Sequence, residues 1–180
     1  MSNFFIPIIS TVQRATLTLN GLGERPGGLV PNEFVAVKAS DRVLLRAAAT
    51  AQIRHTVATS QTAVGFASNT GIRGQDHVRY TDTSREPSID ELLTRFGDWS
   101  ANTAGLHLLV IEDLGHLKTP PSKSLERLRA WLRRNGKTAW VGLYADPSNR
   151  RTRAPEWGGL YQATYRAELV ALPKQVRLEL

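Results

Sequence analysis

Short apolar runs alternate with longer amphipathic segments through the middle of the chain. Four apolar runs have the length and composition of buried strands: Phe34–Val37, Thr62–Ala67, Leu106–Ile111 and Thr138–Ala145. Three segments between them repeat apolar residues at helical spacing: 41–55, 89–97 and 122–134. Strands that alternate with helices predict an α/β domain whose sheet is mainly parallel and carries helices on both faces.

The two ends of the chain have a different pattern. Residues 3–19 predict one or two strands, and the glycines and prolines between residues 21 and 31 then predict a loop. Near the other end, Tyr161–Leu172 and Gln175–Leu180 alternate apolar and polar residues around a Pro-Lys turn. This pattern predicts an antiparallel hairpin at the edge of the sheet.

Size and composition fit one ordinary domain. The chain has 180 residues, of which 41% are hydrophobic and 22% charged, and it contains no cysteine. These values exclude a disordered protein, a disulfide framework and a thiolate nucleophile. We expect one domain over 1–180, with N-terminal strands and a Gly/Pro loop over 1–32 and the α/β core over 33–180.

The sequence also bears on location. It has no run of about 18 apolar residues, so we expect no membrane span. The N-terminus MSNFFIPIIS has no positively charged start and no small-residue cleavage site, and Pro7 interrupts it. We therefore expect a cytoplasmic protein from a bacterium or a mobile element.

Positive charge is concentrated in one part of the chain. The net charge is +7, and the segment between Pro121 and Arg153 contains nine bases opposed only by Glu126 and Asp146. The rest of the chain carries equal numbers of bases and acids. A field this uneven attracts a polyanion, and nucleic acid is the usual one. An acidic protein partner is the alternative.

The candidate nucleic-acid residues lie on the helix 122–134, just after it, and in the loop 146–159. Arginine binds phosphate well, and an exposed indole can stack on a base. An alternative role for the indole is to anchor its loop from below. The candidates are Arg127, Arg129, Arg133, Arg134, Lys137, Arg150, Arg151, Arg153 and Trp157.

Two acids follow the most apolar strand. The segment Leu108–Gly115 reads LLVIEDLG and resembles the Walker B segment of P-loop NTPases of the RecA-like and AAA+ kind. In that family the first acid orders Mg²⁺ and the second polarises the attacking water. The resemblance thus implies a metal position for Glu112, where the family normally has aspartate, and a base position for Asp113. In the structural alternative, the two acids cap the loop that follows.

The phosphate-binding half of that family's site is missing. A Walker A loop needs G-x-x-x-x-G-K-[ST] between a strand and a helix, so that backbone N–H groups surround the phosphates. Gly136-Lys137-Thr138 has the reverse order, and the junction Val37–Arg42 contains no glycine. Lys38 and Ser40 could contact a phosphate there but could not surround it. The resemblance therefore implies a RecA-like three-layer fold with a degenerate nucleotide site.

Three functions remain open at this stage. We expect a non-catalytic accessory protein that binds the DNA backbone through 121–157, because RecA-like proteins contact DNA with loops at the carboxyl end of the sheet. A protein-binding inhibitor resembling the SulA-type cell-division inhibitors, which have a RecA-like fold without a P-loop, is the first alternative. An atypical NTPase that uses Glu112 and Asp113 is the second.

Cofactor and assembly expectations follow from these functions. Only the NTPase alternative would need ATP and Mg²⁺, and we otherwise expect no cofactor. The four histidines show no metal-ligand spacing, so we expect no metal site. The C-terminal strand could pair with a copy of itself and form a homo-oligomer.

Overall fold

A computed structural model of the chain provides the architecture. It describes residues 32, 34–39, 41–60, 63–71, 77–102, 108–144, 165–172 and 175–179. The strands are β1 (Phe34–Ala39), β2 (Val64–Ser68), β3 (Val78–Asp82), β4 (Leu108–Ile111), β5 (Thr138–Tyr144), β6 (Tyr165–Leu172) and β7 (Gln175–Glu179). The helices are α1 (Arg42–Ser60), α2 (Ile89–Asn102) and α3 (Pro121–Asn135), and a short 3-10 helix covers Leu114–His116.

The seven strands form one sheet in the order β3-β2-β4-β5-β1-β6-β7. All neighbours are parallel except β6 and β7, which pair in antiparallel fashion with Leu172 opposite Gln175. The mainly parallel α/β sheet and the antiparallel hairpin at its edge are therefore confirmed. Strand β1 lies inside the sheet, with Val35 opposite Trp140 on one side and Tyr165 on the other.

Helices cover both faces of the sheet, as expected. Alternate residues of a strand point to opposite faces, so Val35 and Val37 belong to the core layer under α1. Phe34 and Ala36 belong to the layer under α2 and α3. The three-layer arrangement thus follows from strands that are apolar on both sides.

The structure departs from the predicted elements in two ways. Helix α1 continues to Ser60 and α2 to Asn102, beyond the predicted ends at His55 and Gly97. The predicted loop 68–88 contains β3, an edge strand whose Arg79 and Asp82 are exposed. A strand with little apolar surface has no hydrophobic pattern to show in the sequence.

Several expectations concern parts of the chain outside the described residues. The N-terminal strands and the Gly/Pro loop of 1–31 lie there, as does the loop 146–159. Among the described residues, no helix combines the length and apolar character needed to span a bilayer.

Candidate functional site

The sheet order brings functional groups together at one edge. Because β1, β2, β4 and β5 are parallel, their carboxyl ends lie side by side. Ser68 ends β2, Glu112 follows β4, and Tyr144 ends β5. A cleft of about 330 Å³ opens there between the start of α1, residues 69–70 and the acidic turn. Crevices at this edge of open α/β sheets commonly bind ligands.

Glu112 is buried, with 6% of its surface exposed, and its carboxylate is paired. The Oε2 atom accepts hydrogen bonds from Arg46 Nη1 at 2.5 Å and from Ser68 Oγ at 2.9 Å. A glycine permits this position, because a Cβ at Gly142 in β5 would collide with the Glu112 carbonyl group. The first acid of the predicted Walker B segment is therefore held by a cation of the same chain.

Arg46, one turn after the start of α1, uses its guanidinium group on several oxygens at once. Besides Glu112, Nη1 donates to Ser68 Oγ at 2.7 Å and to the Thr70 carbonyl at 2.6 Å. Nη2 donates to the Gly71 carbonyl at 2.9 Å. The guanidinium carbon lies 5.4 Å from the centre of the Phe66 ring, within the range of a cation–π contact.

Asp113 is equally buried but has different partners. Its Oδ1 accepts from the N–H groups of Gly115 at 2.8 Å and Tyr144 at 3.3 Å. The first of these bonds caps the 3-10 helix. Its Oδ2 lies 3.5 Å from His116 Nε2. The second acid thus organises the turn after β4 and connects it to the end of β5.

The rim of the cleft consists of Arg42, His116 and Tyr144. The Arg42 guanidinium lies 4.5 Å above the Tyr144 ring, and its Nη1 donates to His116 Nε2 at 2.9 Å. Just before it, Asp41 caps α1, since its Oδ1 accepts from the Val43 N–H at 2.6 Å. A carboxylate therefore occupies the helix N-terminus where a P-loop protein would bind phosphate.

These residues do not fit a magnesium–nucleotide complex. Glu112 is already neutralised by Arg46, and Asp41 would repel a phosphate at the start of α1. Within the described ranges, no group of three or more histidine, aspartate and glutamate side chains is placed to hold a metal ion. Lys38 is half-buried in β1 with Leu143 and Glu168 as its strand neighbours, and Ser40 lies outside the described residues.

The candidate nucleic-acid residues of α3 differ in their surroundings. Arg127 forms an ion pair with Asp90 of α2, and this hydrogen bond raises the pKa of the guanidinium. Arg133 and Arg134 are exposed at the end of the helix, where Arg134 Nε donates to the Ala130 carbonyl at 3.3 Å. Two more are half-buried, and four lie outside the described residues. The half-buried ones are Arg129 and Lys137, and the others are Arg150, Arg151, Arg153 and Trp157.

The basic segment of the sequence approaches the sheet from two sides. Helix α3 ends at Asn135, and β5 begins three residues later at the amino edge. The chain leaves β5 after Tyr144, at the carboxyl edge beside the cleft. A seven-residue strand separates the two edges by about 20 Å. Arg133 and Arg134 therefore lie at the edge opposite the cleft.

Sequence reasoning missed the cations of the cleft. Arg42 and Arg46 are four residues apart in α1, so both lie on one helix face. That spacing was visible in the sequence, whereas the partner of Arg46 was not, because Glu112 is 66 positions away. Ser68 and His116 join the same cleft from two other segments.

The comparisons with known proteins show the fold. No model of a known protein family matches the chain, and no curated protein sequence matches it. Solved structures do match. The ATPase domain of a helicase aligns with a TM-score of 0.62 at 12% identity, over 78% of this chain and 70% of that one. The KaiC-like protein PH0186 from Pyrococcus horikoshii OT3 aligns with a TM-score of 0.60 at 14% identity, over 80% and 74%.

The chain therefore has a RecA-like fold, that of P-loop ATPase domains. The resemblance read from residues 106–115 is confirmed at the level of the fold. At 12% to 14% identity the likeness extends no further than the fold, and function must be argued from the residues.

Proposed function

We propose that this protein is a non-catalytic accessory protein of a bacterial or mobile-element system that associates with nucleic acid in the cytoplasm. The observation that carries the proposal is the concentration of charge, because the segment 121–153 accounts for the whole net charge of +7. Counterion release from the phosphate backbone would supply the binding free energy.

The exposed end of α3 supports this proposal. Arg133 and Arg134 are both exposed. Arg127 contributes less to phosphate binding, because Asp90 already holds its guanidinium. Contacts of this kind position a nucleic acid without reading its sequence, so we expect little sequence preference.

The cleft supports the non-catalytic part of the proposal. A RecA-like ATPase needs an acid that is free to order Mg²⁺ and a helix N-terminus that is open to phosphate. Here Arg46 pairs with Glu112, and the Asp41 carboxylate caps α1. Both features oppose nucleotide binding.

A salt titration tests the nucleic-acid proposal. Binding of a fluorescent DNA of mixed sequence is measured by anisotropy over a range of salt concentrations, for the wild type and for Arg133→Gln/Arg134→Gln. We expect the logarithmic salt slope of the double variant to be smaller by about two, because each lost phosphate contact reduces it by about 0.9.

The matched control is Arg54→Gln/Arg79→Gln, which removes the same charge from exposed positions on α1 and β3. Its slope should equal that of the wild type. An affinity independent of salt would refute the proposal and leave the protein-binding inhibitor as the better explanation. Equal slopes for both double variants would show that net charge, and not the end of α3, is responsible.

A further inference from the structure

Four oxygen atoms converge on the guanidinium group of Arg46. They belong to the Glu112 carboxylate, the Ser68 hydroxyl and the main-chain carbonyls of Thr70 and Gly71. Three of them lie within 2.7 Å of the single atom Nη1. One carboxylate, one hydroxyl and two carbonyls form an oxygen cage of the kind that holds hard cations.

The cage joins segments that are far apart in the sequence. Ser68 ends β2, residues 69–71 follow it, and Glu112 comes directly after β4. The Ser68 hydroxyl strengthens the connection, because it donates to Glu112 Oε2 and accepts from the Thr70 N–H at 3.0 Å. A cation in this cage therefore holds the end of β2 to the acidic end of β4.

We propose that Arg46 is the resident cation of this cage and takes the place that a divalent metal ion would have beside the acidic strand. The guanidinium satisfies the buried Glu112 carboxylate and fixes residues 68–71 against it. The cleft consequently has one conformation, which does not depend on metal or nucleotide. This inference goes beyond the proposed function, because it holds whether or not the protein binds nucleic acid.

The geometry favours arginine over any other resident. Its planar group offers several N–H donors in fixed directions, so one side chain can reach oxygens on separate segments. The Phe66 ring lies beneath it. The Arg46 side chain is 27% exposed and that of Glu112 is 8% exposed. Small ions can thus enter the cage from the cleft once the arginine side chain is removed.

The experiment removes the resident cation and supplies a substitute. Thermal unfolding and Mn²⁺ binding, the latter by electron paramagnetic resonance, are measured for the wild type and for Arg46→Ala. We expect the variant to melt about 5 °C or more below the wild type, because it leaves a buried carboxylate without a partner. Millimolar methylguanidinium or Mn²⁺ should restore part of this loss, and the wild type should respond to neither.

Two further variants locate the effect. Arg54→Ala, from an exposed position of the same helix, should melt like the wild type. Arg46→Ala/Glu112→Gln should bind no Mn²⁺ and should melt above Arg46→Ala, because no buried charge remains. If Arg46→Ala does not fold, Arg46→Lys in the presence and absence of Glu112→Gln gives the same comparison, since a lysine cannot reach all four oxygens.

Two results would overturn the inference. One is a wild type that binds Mn²⁺ as tightly as Arg46→Ala does. The other is an Arg46→Ala variant that melts with the wild type. Neither result depends on the DNA titration, so the failure of one proposal is distinguishable from the failure of the other.

Discussion

Glu112 and Asp113 are adjacent in the chain and almost equally buried, with 6% and 5% of their surfaces exposed, yet their carboxylates have different tasks. Glu112 binds the Arg46 cation, and Asp113 accepts two backbone N–H groups. The difference arises because successive side chains after a strand point in different directions. Their burial requires partners in both cases, since an unpaired buried carboxylate is costly.

Gly142 determines how closely the acidic turn approaches β5. A Cβ at this position would collide with the Glu112 carbonyl and come within 2.7 Å of Leu45 Cδ1. We expect Gly142→Ala to lower the free energy of unfolding by about 2 kcal/mol, because the backbone must shift to relieve the overlap. Urea unfolding followed by circular dichroism measures the change.

Gly97 provides the matched control for this substitution. It lies in α2, and a Cβ there would have no neighbour within 4 Å. Gly97→Ala should leave stability unchanged or raise it by about 0.5 kcal/mol, because alanine favours the helix. Equal losses at the two glycines would contradict the close approach at Gly142.

At the scale of the elements, helix ends follow local rules that the sequence displays. Ser88 and Glu91 form the predicted capping box at the start of α2, with the Ser88 N–H donating to Glu91 Oε2 at 2.6 Å. Helix α3 begins with Pro121 and ends at Gly136, whose φ of 63° is the left-handed conformation that glycine adopts easily. Each feature involves residues within four positions of one another or a single residue type.

The capping box of α2 predicts a pH dependence. The hydrogen bonds from Ser88 lower the pKa of Glu91 from its ordinary value of 4.5. A carboxylate whose pKa is depressed by folding stabilises the protein above its unfolded pKa, and this contribution disappears as the pH falls through the folded pKa. We expect Glu91→Gln to melt below the wild type at neutral pH, with the difference decreasing below pH 4.5.

Melting curves of both proteins from neutral pH to acid measure this difference. Glu126→Gln, an exposed position of α3 outside its first turn, is the control and should show no comparable difference at neutral pH. A Glu91→Gln difference that stays constant through the acid range would contradict the charged capping box.

At the scale of the whole molecule, the order of the strands decides which groups meet. Strand β1 comes first among the described strands but lies between β5 and β6. The same order places the acidic end of β4 beside β2 and not beside β1. The end of α3 and the end of β5 consequently lie at opposite edges of the sheet, although 121–153 is one basic segment in the sequence.

The hairpin of β6 and β7 predicts a difference between two truncations. Removing 164–180 takes away both strands and turns β1 into a sheet edge with unpaired backbone groups. We expect this variant to aggregate or to melt far below the wild type. Removing 174–180 leaves β6 on β1 and should cost much less.

Size-exclusion chromatography and thermal melting of the two truncations measure these outcomes. Equal behaviour would contradict the parallel pairing of β1 with β6. A change from oligomer to monomer on removal of 174–180 alone would indicate that β7 carries the self-association expected from the sequence.

The local pattern of the chain sufficed for the fold but not for the cleft. Apolar runs such as Leu108–Ile111 and the amphipathic segment of α3 predicted buried strands and covering helices correctly, because burial follows periodicity. The strand β3 escaped notice because only its pairing with β2, and not its side chains, makes it a strand. Arg46 escaped notice because nothing near it in the chain identifies its partner.

Hydrophobic periodicity, helix caps and the location of charge act over a few neighbouring residues, and they can therefore be read along the chain. The alternation of strands and helices, the capping box at Ser88 and the absence of a glycine loop at Val37–Arg42 are of this kind. The pairing of Arg46 with Glu112 depends on strand order and on a contact across 66 positions. Only the folded sheet brings that cation and that acid together, because ion pairs form by distance in space and not by separation in sequence.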